Sequence, residues 1–351
     1  MMIDDLDFYN YSYPDELVAL SPLAVKDQAN MLVFENNIFG HQRVSDLLKY
    51  VSENDLLVFN NTKVLPCRLT GQRVRPTSEN IKPTVSVTLN QEIDGNLWTT
   101  FCKPLKKLKE GDRIIFSEEL TAKVMSFNDG QCVMNFDSGD KGLISSLKEI
   151  GEMPLPPYIM KKRSPKKFDF ERYQTPFAEI DGSVAAPTAS LHFPDDYIAS
   201  LDANNISYCF ITLHVSGGTF LPIREKDIGK HKMHSEYANV EENAALQIRK
   251  TLKKGGKVIA IGTTVMRVLE SSSFVENNLQ AFFGSIDTFI RPGHHFKVCS
   301  GLFTNFHLPK STLYILVNAF VGVEKANELY SLAIKKRYRL FSYGDCCLLL
   351  P

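Results

Sequence analysis

The spacing of hydrophobic and polar residues divides the chain into three stretches. In the first, residues 1–60, the pattern predicts two short helices at 14–19 and 46–51. A continuous apolar run at 56–59 follows them and leads into a pair of asparagines. An unbroken apolar run of this length is typical of a strand that is buried on both faces. The first stretch therefore ends in a predicted core strand.

The second stretch, from about residue 64 to 140, has the period of β-structure. Residues 84–89 alternate strictly between apolar and polar side chains, and Asp94-Gly95 and Asn128-Asp129-Gly130 are hairpin-turn signals. About five or six strand-length segments follow one another without a helical pattern between them, which is typical of a small barrel or sandwich. We therefore predict an inserted all-β domain over residues 65–143.

The third stretch alternates strands with helices. A short helix at 144–150 opens it, strands are expected at 206–215 and 257–262, and helices are expected at 195–203, 241–254, 264–271, 311–320 and 324–337. Strand–helix alternation predicts a largely parallel sheet or an open barrel, with its site at the carboxyl ends of the strands. The predicted fold class is α/β: a discontinuous, open α/β barrel-like main domain of residues 1–64 and 144–351, with the small β domain inserted into it.

Composition places this fold among soluble globular proteins. The chain has 351 residues, of which 44% are hydrophobic and 23% charged, so a mainly disordered chain is excluded. No apolar run approaches the roughly 20 residues that a membrane span needs. The acidic start lacks the pattern of a signal or transit peptide, and the seven cysteines form no CxxC pair. We therefore expect reduced thiols, a cytoplasmic protein and no membrane partner.

Charge is balanced overall but unevenly distributed. The net charge is zero, yet the first 60 residues hold ten acidic and three basic residues, so the basic excess lies in the remainder. Three basic runs occur there, at 103–109, 161–167 and 335–339. Such runs fit a polyanion such as RNA, although each could equally be solvated surface.

Candidate chemistry is concentrated in five polar segments at the ends of predicted elements: 186–193, 212–220, 231–236, 261–267 and 304–311. His214 closes a strand, and the following Gly217-Gly218 would let a ligand approach the backbone. The alternative for His214 is a hydrogen-bonded, half-buried structural histidine. Thr263 and Thr264 lie where a strand turns into a helix, which suits an anion, or they are simply an ordinary helix cap.

A metal site is the other chemistry that these segments allow. If the segment is helical, His231 and His234 share one face, and His192 or His214 could complete a zinc site. The chain has no HExxH motif, no P-loop and no GxGxxG fingerprint, so no metal is predicted.

Long motifs in chain order give the sequence a clear resemblance. They cover residues 7–17, 21–27, 57–69, 153–159, 171–175 and 337–345, for example Leu57-Val-Phe-Asn-Asn-Thr-Lys-Val-Leu-Pro66 and Met153-Pro-Leu-Pro-Pro-Tyr158. Together with the five polar segments they span the whole chain. The sequence resembles the S-adenosylmethionine:tRNA ribosyltransferase-isomerase family.

The resemblance implies a specific reaction. Members transfer and isomerise the ribosyl moiety of S-adenosylmethionine onto 7-aminomethyl-7-deazaguanine at the tRNA wobble position. The products are epoxyqueuosine-tRNA, adenine and methionine, a step of queuosine biosynthesis. The implied fold is a larger open α/β barrel interrupted by a smaller β domain. S-adenosylmethionine and tRNA are then the substrates, with no prosthetic group, and we expect a monomer.

This chemistry sets the roles that the candidate residues would fill. The sulfonium acidifies the neighbouring ribose carbon, so a base forms an ylide before adenine leaves and the substrate amine attacks. Neutral histidine suits proton transfer near pH 7. We expect His214 and His192 to take the proton-transfer roles, and Glu236 to bind the aminomethyl cation or the methionine ammonium. The remaining expected substrate contacts include Thr263, Thr264 and Arg267 for the methionine carboxylate, and also Thr188, Thr219, His231, His234, Asn305, His307 and Tyr158.

Three other functions compete with this hypothesis. A zinc-dependent hydrolase would use His231, His234 and a third histidine, and would hold stoichiometric metal. A non-catalytic RNA-binding module would use the β domain and the basic runs, and would bind RNA without turnover. A scaffold role leaves the polar segments unexplained.

Overall fold

The computed structural model describes residues 3–75, 83–128, 130–220, 222–276 and 278–351, with Phe220 described by its backbone alone. The strands, in chain order, are β1 Asn30–Glu35, β2 Ile38–Arg43, β3 Leu56–Asn60, β4 Thr62–Val64, β5 Arg68–Val74, β6 Thr84–Asp94, β7 Leu97–Lys103, β8 Arg113–Ile115, β9 Thr121–Asn128, β10 Gln131–Asp137, β11 Ile180–Ser183, β12 Ser207–His214, β13 Glu236–Val240, β14 Val258–Ile261, β15 Phe282–Ile286, β16 Gly301–Asn305 and β17 Cys346–Leu350.

Helices lie mainly in the second half of the chain. The α-helices are α1 Leu143–Ile150, α2 Pro157–Met160, α3 Lys167–Arg172, α4 Tyr197–Ala203, α5 Glu242–Lys253, α6 Thr263–Leu269, α7 Ser272–Glu276, α8 Thr312–Val321 and α9 Val323–Lys335. Short 3₁₀ helices are Leu6–Tyr9, Asp15–Leu17, Lys26–Gln28, Val44–Tyr50, Leu105–Lys107, Gly139–Lys141, Thr188–His192, Gly217–Phe220 and Ile228–Lys230.

The main body of the protein is one open, mixed sheet. Nine strands of the described chain form it, in the order β15-β13-β12-β3-β14-β16-β17-β1-β2. Strands β12, β3, β14 and β16 run parallel, whereas β17 is antiparallel to β16, and the hairpin partners β2, β13 and β15 are also antiparallel to their neighbours. The predicted α/β class is confirmed, but the sheet is mixed rather than largely parallel.

Strand β3 explains why the sheet holds together at its centre. All five of its residues are buried. Leu56 and Val58 pack into the core on one face of the sheet, and Leu57 and Phe59 pack into the core on the other. Because successive side chains of a strand point to opposite faces, only a continuous apolar run can fill both cores. The apolar run at 56–59 is therefore a sandwiched core strand, as predicted.

The inserted β region is a closed barrel, not a sandwich. Six strands of the described chain close it, in the order β10-β7-β6-β5-β8-β9, around a core that includes Leu69, Val87, Trp98 and Met134. Closure removes exposed strand edges, which fits a small all-β unit. The β6–β7 turn lies at the predicted Asp94-Gly95, and β9 and β10 flank the second predicted turn, of which Asp129 lies outside the described residues. The domain limits at 64/65 and 143/144 remain a prediction.

Two predicted helices and one conditional arrangement differ from the structure. The segments 14–19 and 46–51 form 3₁₀ turns (Asp15–Leu17 and Val44–Tyr50) rather than α-helices. The N–H groups that end them bond to the carbonyl three residues back, Val18 to Asp15 at 3.3 Å and Val51 to Leu48 at 3.4 Å, which is the 3₁₀ pattern and not the α-helical one. His231 and His234 lie in an extended loop after Ile228–Lys230, so they do not share a helix face.

The barrel is joined to the main body at a tight backbone crossing. Arg68 and Glu152 exchange backbone hydrogen bonds of 2.8 and 3.1 Å, and Gly151 ends α1 beside them. A Cβ on Gly151 would lie 1.8 Å from the carbonyl oxygen of Pro66. No side chain fits there, so glycine is required by close backbone approach rather than by a left-handed conformation.

We predict that Gly151→Ala lowers the free energy of unfolding by about 3 kcal/mol, because the backbone must separate to admit the methyl group. Urea denaturation measures the change. Gly40→Ala is the matched control, since its Cβ would meet its nearest neighbours at 4.0 Å, an ordinary contact. Equal stability of the two variants would contradict the proposed crossing.

Candidate active site

A cavity of about 370 Å³ opens at the carboxyl ends of the central strands. Its walls come from Gly262 after β14, from Thr304 and Asn305 at the end of β16, and from Val215 after β12. Loop residues 185–189 and the segment 341–342 close the sides. This is the position expected for a site in a sheet whose central strands are parallel. We call this space the aromatic cavity.

The lining of the aromatic cavity combines ring faces with uncharged polar groups. The rings belong to Tyr13, Tyr158, Tyr173, Phe306 and Phe341. Among the described lining residues, Lys161 carries the one full charge if the histidine is neutral. Burial raises the pKa of Tyr158 to about 12, so its phenol is neutral, and its oxygen accepts the Ser342 N–H at 2.8 Å. Such a surface suits a nucleoside: faces for stacking, and a few polar groups for orientation.

The polar groups of the cavity are organised around Asn305. The Thr188 hydroxyl donates to Asn305 Oδ1 at 3.0 Å, and Asn305 Nδ2 lies 3.0 Å from His192 Nε2. Burial, aided by the charge of Arg339, lowers the pKa of His192 to about 4. His192 is therefore a neutral acceptor behind the cavity wall, 6% exposed, and orients the asparagine amide.

The start of α6 supplies two predicted residues, Thr263 and Thr264. Gly262 adopts φ +100° and turns the chain from β14 into the helix, and Thr263 and Thr264 line the cavity directly after it. The Thr264 hydroxyl is buried and has no hydrogen-bond partner within the described chain. An unpaired buried hydroxyl is costly, so it is a candidate contact for a ligand.

His307 also lines the aromatic cavity. Its Nε2 lies 2.9 Å from the Thr304 hydroxyl, and its backbone N–H donates to the Tyr330 oxygen at 2.9 Å. Burial lowers its pKa to about 3. A histidine with so low a pKa stays neutral at physiological pH and is a weak base, so it is better suited to orient a ligand than to remove a proton.

A second space of about 500 Å³ adjoins the aromatic cavity. Thr219 lines both, and Thr312 of the second space lies between Ser311 and Leu313 of the first. Its other walls are Ser216, Gly218 and loop residues 222, 224–225 and 230–234, with Glu236 at the start of β13. We call this space the basic compartment, because Arg224, Lys230 and Lys232 lie around it.

Glu236 and Arg267 form a buried ion pair below the basic compartment, with side chains 2% and 3% exposed. Glu236 Oε2 pairs with Arg267 Nη1, while Oε1 accepts the Ser216 N–H at 2.9 Å and the Thr219 hydroxyl at 3.4 Å. Arg267 Nε donates to the Thr288 carbonyl at 3.0 Å. Arg267 lines neither space, so its charge is used within the protein. It stands behind Glu236 rather than beside a ligand.

His214 faces a third space, of about 580 Å³, on another part of the sheet. Its Nδ1 lies 2.8 Å from the Thr62 hydroxyl, and its ring packs on Gly182, where a Cβ would approach to 2.7 Å. Burial lowers its pKa, and nearby Asp181 opposes the effect. His214, His192 and Glu236 therefore do not converge on one cavity in this structure.

His231 and His234 lie at the basic compartment. The ring of His234 packs on Gly218, and burial and then His234 lower the pKa of His231. Within the described ranges, no group of three histidine, cysteine, aspartate or glutamate side chains could hold a metal ion. The third ligand of the zinc alternative is absent from those ranges.

Several lining residues escaped sequence reasoning. Tyr13, Tyr173 and Phe341 line the aromatic cavity, yet they lie far apart in the chain. Tyrosines 9, 11 and 13 in one short segment were the available signal. Asn90 of the barrel also contributes: it is buried, and its Oδ1 accepts the Gly217 N–H at 2.8 Å. Nothing in a β-strand pattern marks such an asparagine.

Fold and site together define a mixed α/β protein with a nucleoside-sized pocket and a basic neighbour. The family model of queuosine biosynthesis proteins matches residues 6–349. Curated relatives include an S-adenosylmethionine:tRNA ribosyltransferase-isomerase of Ruegeria pomeroyi, 42% identical with both chains fully covered, and one of Bradyrhizobium diazoefficiens, 40% identical with 98% of this chain and 95% of the relative covered. This chain belongs to the queuosine biosynthesis protein family.

A solved structure agrees with this assignment. The crystal structure of an S-adenosylmethionine tRNA ribosyltransferase from Thermotoga maritima matches 98% of this chain and all of that one, with 26% identity and a TM-score of 0.54. The described part of the chain contains no helix that is long and apolar enough to span a membrane.

The neutral state of His192 predicts a loss of stability in acid. Its pKa is 6.5 when unfolded and about 4 when folded, so the unfolded chain binds a proton that the folded chain rejects. The free energy of unfolding should fall as pH drops from 6.5 to 4, by about 1.4 kcal/mol per unit from this residue.

His192→Gln keeps an acceptor for Asn305 without a titrating ring. Urea titrations at several pH values should show a shallower acid dependence for this variant than for the wild type. His41→Gln, which removes an exposed histidine, is the control. An unchanged slope in His192→Gln would refute the neutral assignment.

Proposed function

We propose that this protein transfers and isomerises the ribosyl moiety of S-adenosylmethionine onto 7-aminomethyl-7-deazaguanine at the wobble position of tRNA, releasing adenine and methionine. The main support is the similarity over the full chain, at 40–42% identity, to relatives named for this activity. A nucleoside-sized cavity that continues into a basic compartment fits a reaction between a small nucleoside and an RNA.

S-adenosylmethionine fits the aromatic cavity by its chemistry. Ring faces attract a sulfonium cation and stack on adenine. The unpaired hydroxyl of Thr264, together with Thr188 and Asn305, offers hydrogen bonds to the nucleoside, and Lys161 at the wall suits the methionine carboxylate. Arg267 was expected to bind that carboxylate; because it is paired with Glu236, we assign it instead to holding Glu236 in place.

Glu236 remains our candidate for the aminomethyl cation of the target base. Its Oε1 faces the junction of the two spaces, where Thr219 donates to it over a long 3.4 Å. Oε1 also accepts the Ser216 N–H at 2.9 Å, but it is the oxygen that Arg267 leaves free, so this side of the carboxylate is the one that can meet a cation. The target base would then lie beside Thr219, next to the ribosyl donor.

Proton removal needs a histidine that is neutral at physiological pH and whose pKa is still high enough for it to accept a proton. Burial lowers the pKa of both His214 and His307, and the value of about 3 makes His307 a weak base. His192 acts through Asn305, and His231 and His234 border the basic compartment. We propose His214 as the proton acceptor, a role that requires its ring to leave the third space and reach the aromatic cavity past the neighbouring Val215 when substrates bind. We further propose His192 and His307 as orienting groups, and the protein itself as a cytoplasmic monomer without a prosthetic group.

The function is tested by incubating the protein with S-adenosylmethionine and tRNA that carries 7-aminomethyl-7-deazaguanine. Mass spectrometry of nucleosides and small products should show adenine and methionine released in step with epoxyqueuosine. RNA binding without turnover would favour a non-catalytic RNA-binding module. Turnover that requires stoichiometric zinc would favour metal chemistry.

We predict that His214→Ala lowers kcat by about 10²–10⁴-fold, the usual contribution of a positioned acid or base. Dissociation constants for tRNA and S-adenosylmethionine should change far less. His307→Gln is the comparison, and should raise the KM for S-adenosylmethionine more than it lowers kcat. Full activity of His214→Ala would remove this residue from the mechanism.

A further inference from the structure

The basic compartment has more positive charge than its own carboxylates neutralise. Within the described residues, Arg224 and Lys232 have no ion-pair partner, and Lys230 reaches Asp227 only at 3.9 Å. On the acidic side, Glu236 is already paired with Arg267, which leaves Glu225. The compartment therefore has an excess of cations on a protein whose net charge is zero.

A buried and unpaired hydroxyl lies in the same wall. Ser216 is 5% exposed and lines the compartment, and its Oγ has no hydrogen-bond partner within the described residues. Its backbone N–H is held by Glu236 at 2.9 Å, so the residue is fixed in place while its hydroxyl remains free. A rigid donor beside unpaired cations is an arrangement that recognises an oxyanion.

The basic compartment lies directly beside the aromatic cavity, where we place the ribosyl donor. The compartment and the aromatic cavity share Thr219, so an anion bound in one lies next to a nucleoside bound in the other. Asn90 of the barrel holds the loop between them through Gly217 at 2.8 Å, which fixes the spacing of the two spaces. In RNA, a phosphate lies directly beside every nucleoside.

We propose that the basic compartment binds the RNA backbone phosphates next to the target nucleotide, through Arg224, Lys232 and the Ser216 hydroxyl. This proposal rests on the proposed function and adds to it the part of the protein that holds the RNA strand. Three cations spaced around a volume of about 500 Å³ match consecutive phosphates better than a single carboxylate.

The three basic runs noted in the sequence lie elsewhere. Residues 103–109 belong to the barrel, 335–339 follow α9, and from the run 161–167 only Lys161 reaches the aromatic cavity. None of them lines the basic compartment, whose cations lie in the segment 224–232, where Glu225 and Asp227 offset part of the charge of the four basic residues. Charge clustering along the chain therefore does not reveal this site.

The test is the salt dependence of RNA binding by the double variant Arg224→Gln/Lys232→Gln. An anticodon stem-loop RNA with 7-aminomethyl-7-deazaguanine is the probe, and its affinity is measured from 50 to 200 mM salt. The plot of log affinity against log salt should become shallower by about 1.4, the value for two phosphate contacts on a single strand. Affinity should fall roughly tenfold or more at the lower salt.

Lys254→Gln is the matched control. Lys254 is exposed at the end of α5, just before β14 begins, and so lies at the edge of the sheet opposite the cleft. It should leave both affinity and slope unchanged. Ser216→Ala removes a neutral donor, and should weaken binding severalfold while leaving the slope as in the wild type.

Two results would overturn the proposal. One is a double variant with wild-type RNA affinity and slope. The other is a loss of S-adenosylmethionine affinity with RNA binding intact, which would assign the compartment to the methionine carboxylate. Should the double variant unfold, each single variant carries the same test with half the slope change.

The assay measures binding and needs no turnover, so it separates this proposal from the function. A wild-type protein that binds the RNA through these residues but transfers no ribosyl group would refute the proposed function alone. If the wild-type protein turns over but the double variant binds RNA as the wild type does, this phosphate site alone is refuted.

Discussion

The side-chain amide of Asn60 is the interaction on which the site depends. Asn60 ends β3 and is fully buried; its Oδ1 accepts the backbone N–H groups of Leu213 and Thr62, and its Nδ2 donates to the Leu213 carbonyl. One side chain thus continues the pairing of β3 with β12 at the point where the chain turns towards the barrel. Because His214, Val215 and the loop at 216–219 follow Leu213, this amide sets where the cleft begins. A buried amide with three such bonds tolerates little displacement.

The inserted barrel is connected to that same loop. Asn90 holds the Gly217 N–H, and its own Nδ2 donates to Thr99 and Gln131 within the barrel at 3.1 Å. The barrel therefore contributes to the geometry of the cleft as well as to its outer surface. An insertion that only enlarged the protein would not need a buried amide network at its contact. The loop between the two spaces is held from the sheet by Asn60 and from the barrel by Asn90.

The sequence predicts those features that depend on residues close together in the chain, and it fails for those that depend on contacts between distant segments. Local periodicity identifies β3, the barrel hairpins and most later helices, because each pattern reflects the burial of neighbouring residues. Strand order and direction could not be predicted in this way: β17 joins the sheet beside β1, which lies at the other end of the chain, and no local pattern encodes that pairing.

The aromatic lining of the cavity is likewise assembled from distant segments. The polar segments contain Thr188, Thr263, Thr264, Asn305 and His307, which line the cavity because polar side chains at the ends of central strands meet at one edge; their role as substrate contacts stays a prediction. The pairing of Arg267 with Glu236, 31 residues apart, could not be predicted, and it removes a cation from the list of ligand contacts.

With S-adenosylmethionine in the aromatic cavity and RNA at the basic compartment, as proposed above, the two spaces of the cleft differ in charge in the way that the two substrates differ. S-adenosylmethionine carries a sulfonium and an ammonium against one carboxylate, so it is a net cation, and a cavity of rings and hydroxyls with one lysine at its wall can accept it without strong repulsion. RNA is a polyanion, and the adjoining space holds Arg224 and Lys232, which have no ion-pair partner among the residues that the structure describes. The same cations placed around S-adenosylmethionine would repel its sulfonium.

Burial also keeps the histidines of the aromatic side neutral, which avoids the same repulsion, since an imidazolium there would add positive charge. The buried pair of Glu236 and Arg267 lies at the boundary: it presents a carboxylate towards the junction while its arginine cancels the cost of burying that charge. Electrostatic separation across a single loop can therefore bring two substrates of opposite charge together without either space having to bind both.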